Sequence, residues 1–478
     1  MRKGILKGLS QAVVRGSVPM FIILMMTVLI VPAAAQQGLL TLDQCVSMAL
    51  KSNLSIETAN EKLVEKDAAI EEASVANMPT FSAQANYSVL MPTKVQSLDL
   101  ASYLPQVIGY SLGEMGIVPP MPAPGSPPMS TMYTGMHRVG LGLTATQLLY
   151  TDGKIKNARK ITEHSKVVAE WQKKSAVREI RRDVTKAYYQ ALAANKGVVA
   201  LDSAIALMGV MLKDLGNAVD VGMRGEHELL QAQVQLANQQ LARQQAATGA
   251  QMAHDYLAML IGIPVSQRIT LVDKLQEPES YTVHPLPAMQ TRAREASTDL
   301  KALEEQMKIV ETSLLITGTS NKKPTILAQA GYSGGMGTDG EIKGSGDWSN
   351  SGNISLVAQW DIYDFGATNS KRRATLSQKR QLELGMEQLG LGLDLQVKNN
   401  CASLQDTFTA IETGNKSVAQ TKRSYEISYD KFQEGMLLSS ELLNSQNMVL
   451  QAEISYYAAL STFYGRQADL DYMVNEEK

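Results

Sequence analysis

The residues of this chain best placed, by type and spacing, to do chemistry lie in two nine-residue segments. Gly222–Leu230 reads GMRGEHELL, and Gly435–Leu443 reads GMLLSSELL, 213 residues later. Each sets a glycine and a methionine ahead of an acidic residue and an apolar-periodic run. Glycine adopts cheaply the left-handed backbone that closes a helix. Glu228 and Glu441 then fall in the first turn of the next helix, where its dipole favours negative charge. The chemistry available is recognition and charge pairing. Glu226-His227-Glu228 has metal-ligating residue types, but a triplet at one exposed turn reads more simply as a solvated helix start. The five histidines are scattered. No nucleophile–base pair and no phosphate-cradling glycine loop appears, so we read no enzyme and no cofactor. The Gly-Thr-Asp-Gly and Gly-Ser-Gly-Asp runs within 331–352 lack calcium-loop spacing and read as a hairpin loop.

The elements that must position these segments occur twice. Pro79–Ser88 (PTFSAQANYS) returns as Pro324–Ser333 (PTILAQAGYS), and Gln147–Gly153 (QLLYTDG) as Gln359–Gly366 (QWDIYDFG). Recurrence of three landmarks in one order implies two copies of one supersecondary unit. Each copy reads helix, strand, loop, strand, very long helix, glycine turn, helix. Phe81, Ala83, Ala85, Tyr87 and Val89 alternate with Thr80, Ser82, Gln84, Asn86 and Ser88. The same period of two runs through 139–146, 326–332 and 354–362, the last with Trp360 and Ile362 on its apolar face. Such strands suit a sandwich core, or a barrel with lipid outside and water within. Four strands cannot close a barrel alone.

From Val177 to Val219 apolar residues fall at alternating steps of three and four, a sustained heptad seam. The second copy keeps one stripe, Val397, Leu404, Ile411, Val418, Tyr425 and Phe432. Its companion stripe is small or polar, Asn400, Thr407, Gly414, Thr421 and Ser428, which implies different neighbours or a lumen. No proline interrupts 151–221 or 367–434. Helices of ~70 residues would be roughly 105 Å long. The flanking helices, about 41–77, 224–261, 287–317 and 437–474, are half that length, so two stacked end to end match one long helix.

Residues 1–35 read as a cleaved signal peptide, with Arg2, Lys3, Lys7 and Arg15, a short apolar run and Ala33-Ala34-Ala35. Removing its four cations leaves 41 basic against 47 acidic residues, a net charge of −6 that argues against nucleic acid. Domain boundaries follow as repeat 1 over 36–264, a linker over 265–284 and repeat 2 over 285–478. Cys45 and Cys401 are the only cysteines. A disulfide between them is open, though two unpaired buried thiols fit better. The first copy carries a longer strand-to-strand loop, rich in Pro, Met and Gly over 115–132. That composition suits an irregular surface excursion, and methionine without Cys or His spacing does not make a copper site.

Taken together, the chain resembles the TolC family of outer-membrane channel proteins. The resemblance rests on Leu40-Thr41-Leu42-Asp43-Gln44, Ala49-Leu50-Lys51-Ser52-Asn53, Pro79, the two Gln…Gly junctions, Leu260-Ile261-Gly262-Ile263-Pro264 and the two glycine turns. No one motif is specific; their duplicated order is. It implies a mixed α+β, mostly helical protomer with four transmembrane β-strands, trimerising into a 12-stranded β-barrel and a 12-helix periplasmic α-barrel. It implies a passive exit duct in the outer membrane of a Gram-negative cell, joined to an inner-membrane transporter by a periplasmic adaptor. The turns become adaptor-docking tips: Gly222, Met223, Gly225, Glu228, Gly435, Met436, Ser440 and Glu441. The family's entrance gate sets a basic residue in the second tip; here that position is Leu437, and the acid positions fall on Glu441 and Asn444. Arg224 is the cation left to latch the entrance, on Glu228 or Glu441. Alternatives are a type I protein-secretion duct and, from a different class, an exported coiled-coil stalk.

Overall fold

A computed structural model of the chain describes residues 39–89, 137–265, 267, 269–278, 280–282, 285–319, 323–338 and 348–475. Residues 1–35, read above as a signal peptide, and the Pro/Met-rich stretch 115–132 lie outside them. In chain order the elements are β1 (Leu39–Leu40), α1 (Leu42–Ser52), α2 (Leu54–Val75), β2 (Thr80–Val89), β3 (His137–Tyr150) and α3 (Lys154–Asp220). Then follow α4 (Glu226–Leu260), β4 (Thr270–Leu271), α5 (Leu286–Ala296) and α6 (Thr298–Thr319). The chain closes with β5 (Thr325–Thr338), β6 (Ser349–Gln359), α7 (Ala367–Gln433) and α8 (Ser439–Val474). Both long helices have 67 residues. Among the described residues no helix is long and apolar enough to cross a membrane.

The chain divides into two compact units, each drawing on both halves of the sequence. One comprises the described residues of Glu61–Gln172 and Asp299–Leu389 and holds a four-stranded antiparallel sheet in the order β2-β3-β5-β6. Its register aligns the alternation of all four strands. Phe81, Ala145, Ala330 and Ile354 lie opposite one another in one cross-strand row, and Ala83, Leu143, Tyr332 and Gly352 in the next row on that face. The reverse face carries Ser82, Thr144, Gly331 and Asn353, then Gln84, Gly142, Ser333 and Ser351. The apolar face is open: Phe81 is 80% and Ile354 90% exposed. The expected last strand overshoots. Pairing ends at Gln359, and Trp360 and Ile362 lie beyond it. The chain turns into α7 through Phe365 and Gly366, both left-handed (φ 52° and 86°), as Asp152 and Gly153 (51° and 75°) lead into α3.

The other unit comprises the described residues of Met1–Asn60, Lys173–Thr298 and Gly390–Lys478. Two apolar clusters in it are repeat-related. Val184 and Leu257 anchor the first with Cys45; Val397 and Leu470, each 213 residues on, anchor the second with Met289. The polar companion stripe of α7 has packing causes. Asn400 donates to the Arg466 carbonyl at 3.0 Å, and a β-carbon on Gly414 would lie 3.4 Å from the Tyr456 ring. Both cysteines are free, one in each cluster.

The first short helices are broken where continuous ones were expected. α1 opens on a capping box, Thr41 with Gln44, and stops at Asn53 in extended backbone. There the Asn53 amide donates to the Leu260 carbonyl at 2.9 Å and its oxygen accepts from Ser55 N–H at 2.9 Å, closing α4 and opening α2. α5 and α6 part likewise at Ser297. The linker is held to the amino-terminal segment by the parallel pairing of β1 with β4 and by Asp273, which accepts from Leu42 N–H at 3.0 Å and from the Tyr188 hydroxyl at 2.8 Å.

Candidate functional site

Both glycine turns close their long helices by one geometry. Gly222 N–H donates to Val219 O and Met223 N–H to Ala218 O, at 2.9 and 2.8 Å. Gly435 N–H donates to Phe432 O and Met436 N–H to Lys431 O, at 3.0 and 2.9 Å. These are paired Schellman closures, and each needs its C′ residue left-handed; φ is 75° at both glycines. The following helices open without a side-chain cap, on Gly225 and on Leu438. Their first N–H groups thus stay available to a partner, with Glu226, Glu228 and Glu441 in the first turns.

The two tips meet within the chain. Arg224 donates Nη2 to the Leu437 carbonyl at 2.8 Å, so it reaches the position 213 residues on that matches its own. Its Nη1 lies 3.6 Å from Glu228 Oε2, and its guanidinium sits 5.2 Å from the Phe432 ring centre. Glu228 Oε2 is buried without a hydrogen bond among the described residues, which leaves Arg224 as its compensating charge. One turn back, Tyr429 donates to Asp214 at 2.9 Å, tying α7 to α3. Burial, then this hydrogen bond, pushes the Tyr429 pKa up. Gln446 donates to the Ala204 carbonyl at 2.5 Å from α8. Beneath lie Met208, Met211, Leu215, Ala232, Phe432 and Leu442.

Of the residues singled out in the sequence, Gly222, Met223, Gly225, Gly435, Met436, Ser440, Glu441 and Asn444 are all exposed, while Arg224 and Glu228 are partly buried. Met223, Met436 and Leu438 leave 76%, 68% and 57% of their surface exposed, an apolar rim on an otherwise polar turn. Arg224 pairs with Glu228 and not with Glu441. Sequence reasoning missed Asp214 and Tyr429, and placed Phe432 only in the apolar stripe of the long helix. Tyr425, Tyr429 and Phe432 sit at helical spacing and could have been read as an aromatic patch; Asp214 carries no such signal. Among the described residues no group of three or more His, Cys, Asp or Glu could hold a metal.

Residues 293–476 match the family model of the outer membrane efflux protein. That carboxy-terminal segment is similar to the outer membrane efflux protein family. A comparison with curated proteins gives no match. Among solved structures the fold is similar to the outer-membrane channel OprN, with a TM-score of 0.67 and 16% identity over 91% of this chain and 90% of that one. It is similar to the outer membrane protein VceC of Vibrio cholerae, with a TM-score of 0.66 and 13% identity over 91% and 95%. It is also similar to the open state of the MtrE outer membrane channel of Neisseria gonorrhoeae, with a TM-score of 0.65 and 16% identity over 91% and 88%. At such identities the likeness concerns the fold.

Proposed function

We propose that this chain is one protomer of a trimeric export duct, in which three sheets close one 12-stranded barrel in the outer membrane. Three sets of helices then form a periplasmic tunnel that receives small molecules from an inner-membrane transporter through an adaptor. The observation that carries this reading is the sheet. One face is apolar and exposed, the other small and polar, and β2 and β6 each keep one edge without a partner among the described residues. Open edges and a bare apolar face are both costly in water. Edge-to-edge closure with further copies removes the first, and lipid covers the second. The tips are the adaptor-docking surface, with Met223, Met436 and Leu438 as apolar anchors and Ser440 and Glu441 as polar rim. Arg224, Glu228, Asp214 and Tyr429 hold the entrance shut, with Glu441 and Asn444 facing the passage.

A type I protein-secretion duct would share this architecture and differ in cargo. A coiled-coil stalk accounts for the helices and leaves the two-faced sheet unexplained. Reconstitution of detergent-purified protein into planar bilayers tests the duct: trimeric particles should conduct ions, and Arg224→Ala should raise conductance by loosening the tips. Non-conducting monomers or solid rods would overturn the reading. Unchanged conductance in Arg224→Ala would remove the latch alone.

A further inference from the structure

The helices α3, α5 and α8 meet around an open cleft of about 980 Å³ that lies wholly within the helical unit, far in sequence from the glycine tips. Four guanidiniums line it, those of Arg178, Arg181, Arg182 and Arg292, against two carboxylates, Glu295 and Asp471. Two of the cations are committed. Arg178 is buried and donates to the carbonyls of Ala296, at 2.7 Å, and of Tyr472, satisfying the ends of α5 and α8. Arg182 donates to Asp183 at 2.8 Å and lies 4.7 Å from the Tyr472 ring centre. Arg181 and Arg292, on two different helices, are exposed and have no ion pair among the described residues.

We infer that this cleft binds an organic polyanion, a ligand with at least two carboxylate or phosphate groups, with Arg181 and Arg292 as its ion-pairing residues. Elsewhere in this unit arginines are matched in the chain: Arg243 with Asp202 at 2.8 Å and Arg294 with Asp394 at 2.5 Å. Here an excess of planar, five-donor cations converges on one concavity, the arrangement that grips oxyanions through paired N–H groups. The charges stand on separate helices, so one small oxyanion would leave most of the volume to water, and a ligand with two acidic groups fits better. The rings of Tyr189 and Tyr464, stacked at 4.1 Å, give the cleft a flat apolar wall for a carbon skeleton. Of the two resident carboxylates, Asp471 already accepts from the Asn475 amide at 2.9 Å. The inference stands apart from the export reading, since neither the sheet nor the tips enter it.

Isothermal calorimetry on the full-length protein in detergent at low salt tests it, with citrate and pyrophosphate as probes that separate carboxylate from phosphate recognition. At least one probe should bind once per chain, with an affinity that weakens as salt rises. Loss of two charge-assisted contacts in Arg181→Ala/Arg292→Ala should weaken it by about tenfold or more. Both residues are exposed, so circular dichroism of the double variant should match the parent. Arg380→Ala, which breaks the exposed pair with Glu383 in the other unit, should bind as the parent does. No binding of either probe to the parent, or equal binding by the double variant, would overturn the assignment.

Discussion

At the scale of single residues, burial and partners set reactivity. The Cys45 thiol is fully buried, and its pKa is pushed up to about 11, mainly by burial and then by Asp273. The thiolate is the nucleophile, so Cys45 should resist maleimide at pH 7.5 in the folded protein and react once urea unfolds it. Rapid native labelling at Cys45, read by peptide mass, would contradict this. Asp471 carries the opposite lesson for stability. Partial desolvation in the cleft raises its folded pKa above the unfolded value, so its contribution is most favourable below the unfolded carboxylate pKa of about 3.9. That contribution is lost as pH rises through the folded pKa. Asp471→Asn should therefore raise the melting temperature at pH 7 and give no gain near pH 3. Equal gains at both pH values would show that the ionised form is not disfavoured. The buried thiol was read from the sequence; the surroundings of Asp471 were not legible there, because they are built by helices distant in the chain.

Among the elements, glycine separates two roles that look alike in sequence. Gly222, Gly435 and Gly262 all close helices at φ 75°. A β-carbon would meet nothing within 4 Å at Gly222 or Gly435, but at Gly262 it would lie 2.7 Å from Ser52 Oγ and 3.0 Å from the Ser52 carbonyl. Alanine at a tip should cost only the left-handed backbone, roughly 1–2 kcal/mol. Gly262→Ala adds overpacking against α1, for a total of roughly 3 kcal/mol. Denaturant midpoints of the three variants, compared with the parent, check the order; a tip variant as damaging as Gly262→Ala would break it. The long helices were legible because a heptad seam without proline is a local signal repeated many times. The repeat relation holds to the residue, as in Val184 with Val397 on the long helices and Leu257 with Leu470 on α4 and α8. The breaks at Asn53 and Ser297 were not, because neither needs Gly or Pro. Each is held by a long-range bond or by a neighbouring helix end: Asn53 to the Leu260 carbonyl, and Arg178 to the Ala296 carbonyl beside Ser297. β6 was read too long because Trp360 and Ile362 continue the alternation after the partner strand has run out; β5 begins at Thr325, opposite Gln359.

For the whole molecule, what covers the sheet decides between a membrane protein and a rod. Phe81 and Ser82 are neighbours on β2 with opposite faces, and their partners Ala145 and Thr144 keep that division on β3. If lipid covers the apolar face, a lysine there meets hydrocarbon, at about 2–4 kcal/mol near the middle of the bilayer and less towards its edges. The same lysine one residue on enters a water-filled lumen at little cost. Phe81→Lys should therefore lower the yield of trimer in the outer-membrane fraction, whereas Ser82→Lys should assemble normally and shift bilayer conductance toward anions. Ile354→Lys and Asn353→Lys repeat the contrast on β6, where the same faces alternate. A sheet covered by protein instead of lipid would also reject Phe81→Lys, so the second readout discriminates. Only a lumen-facing Ser82 can alter ion selectivity in an assembled channel. Ser82→Lys trimers that conduct with unaltered selectivity would place the polar face away from the pore. Trimers absent from membranes in the parent itself would leave the apolar face to a protein partner and favour the stalk over the duct.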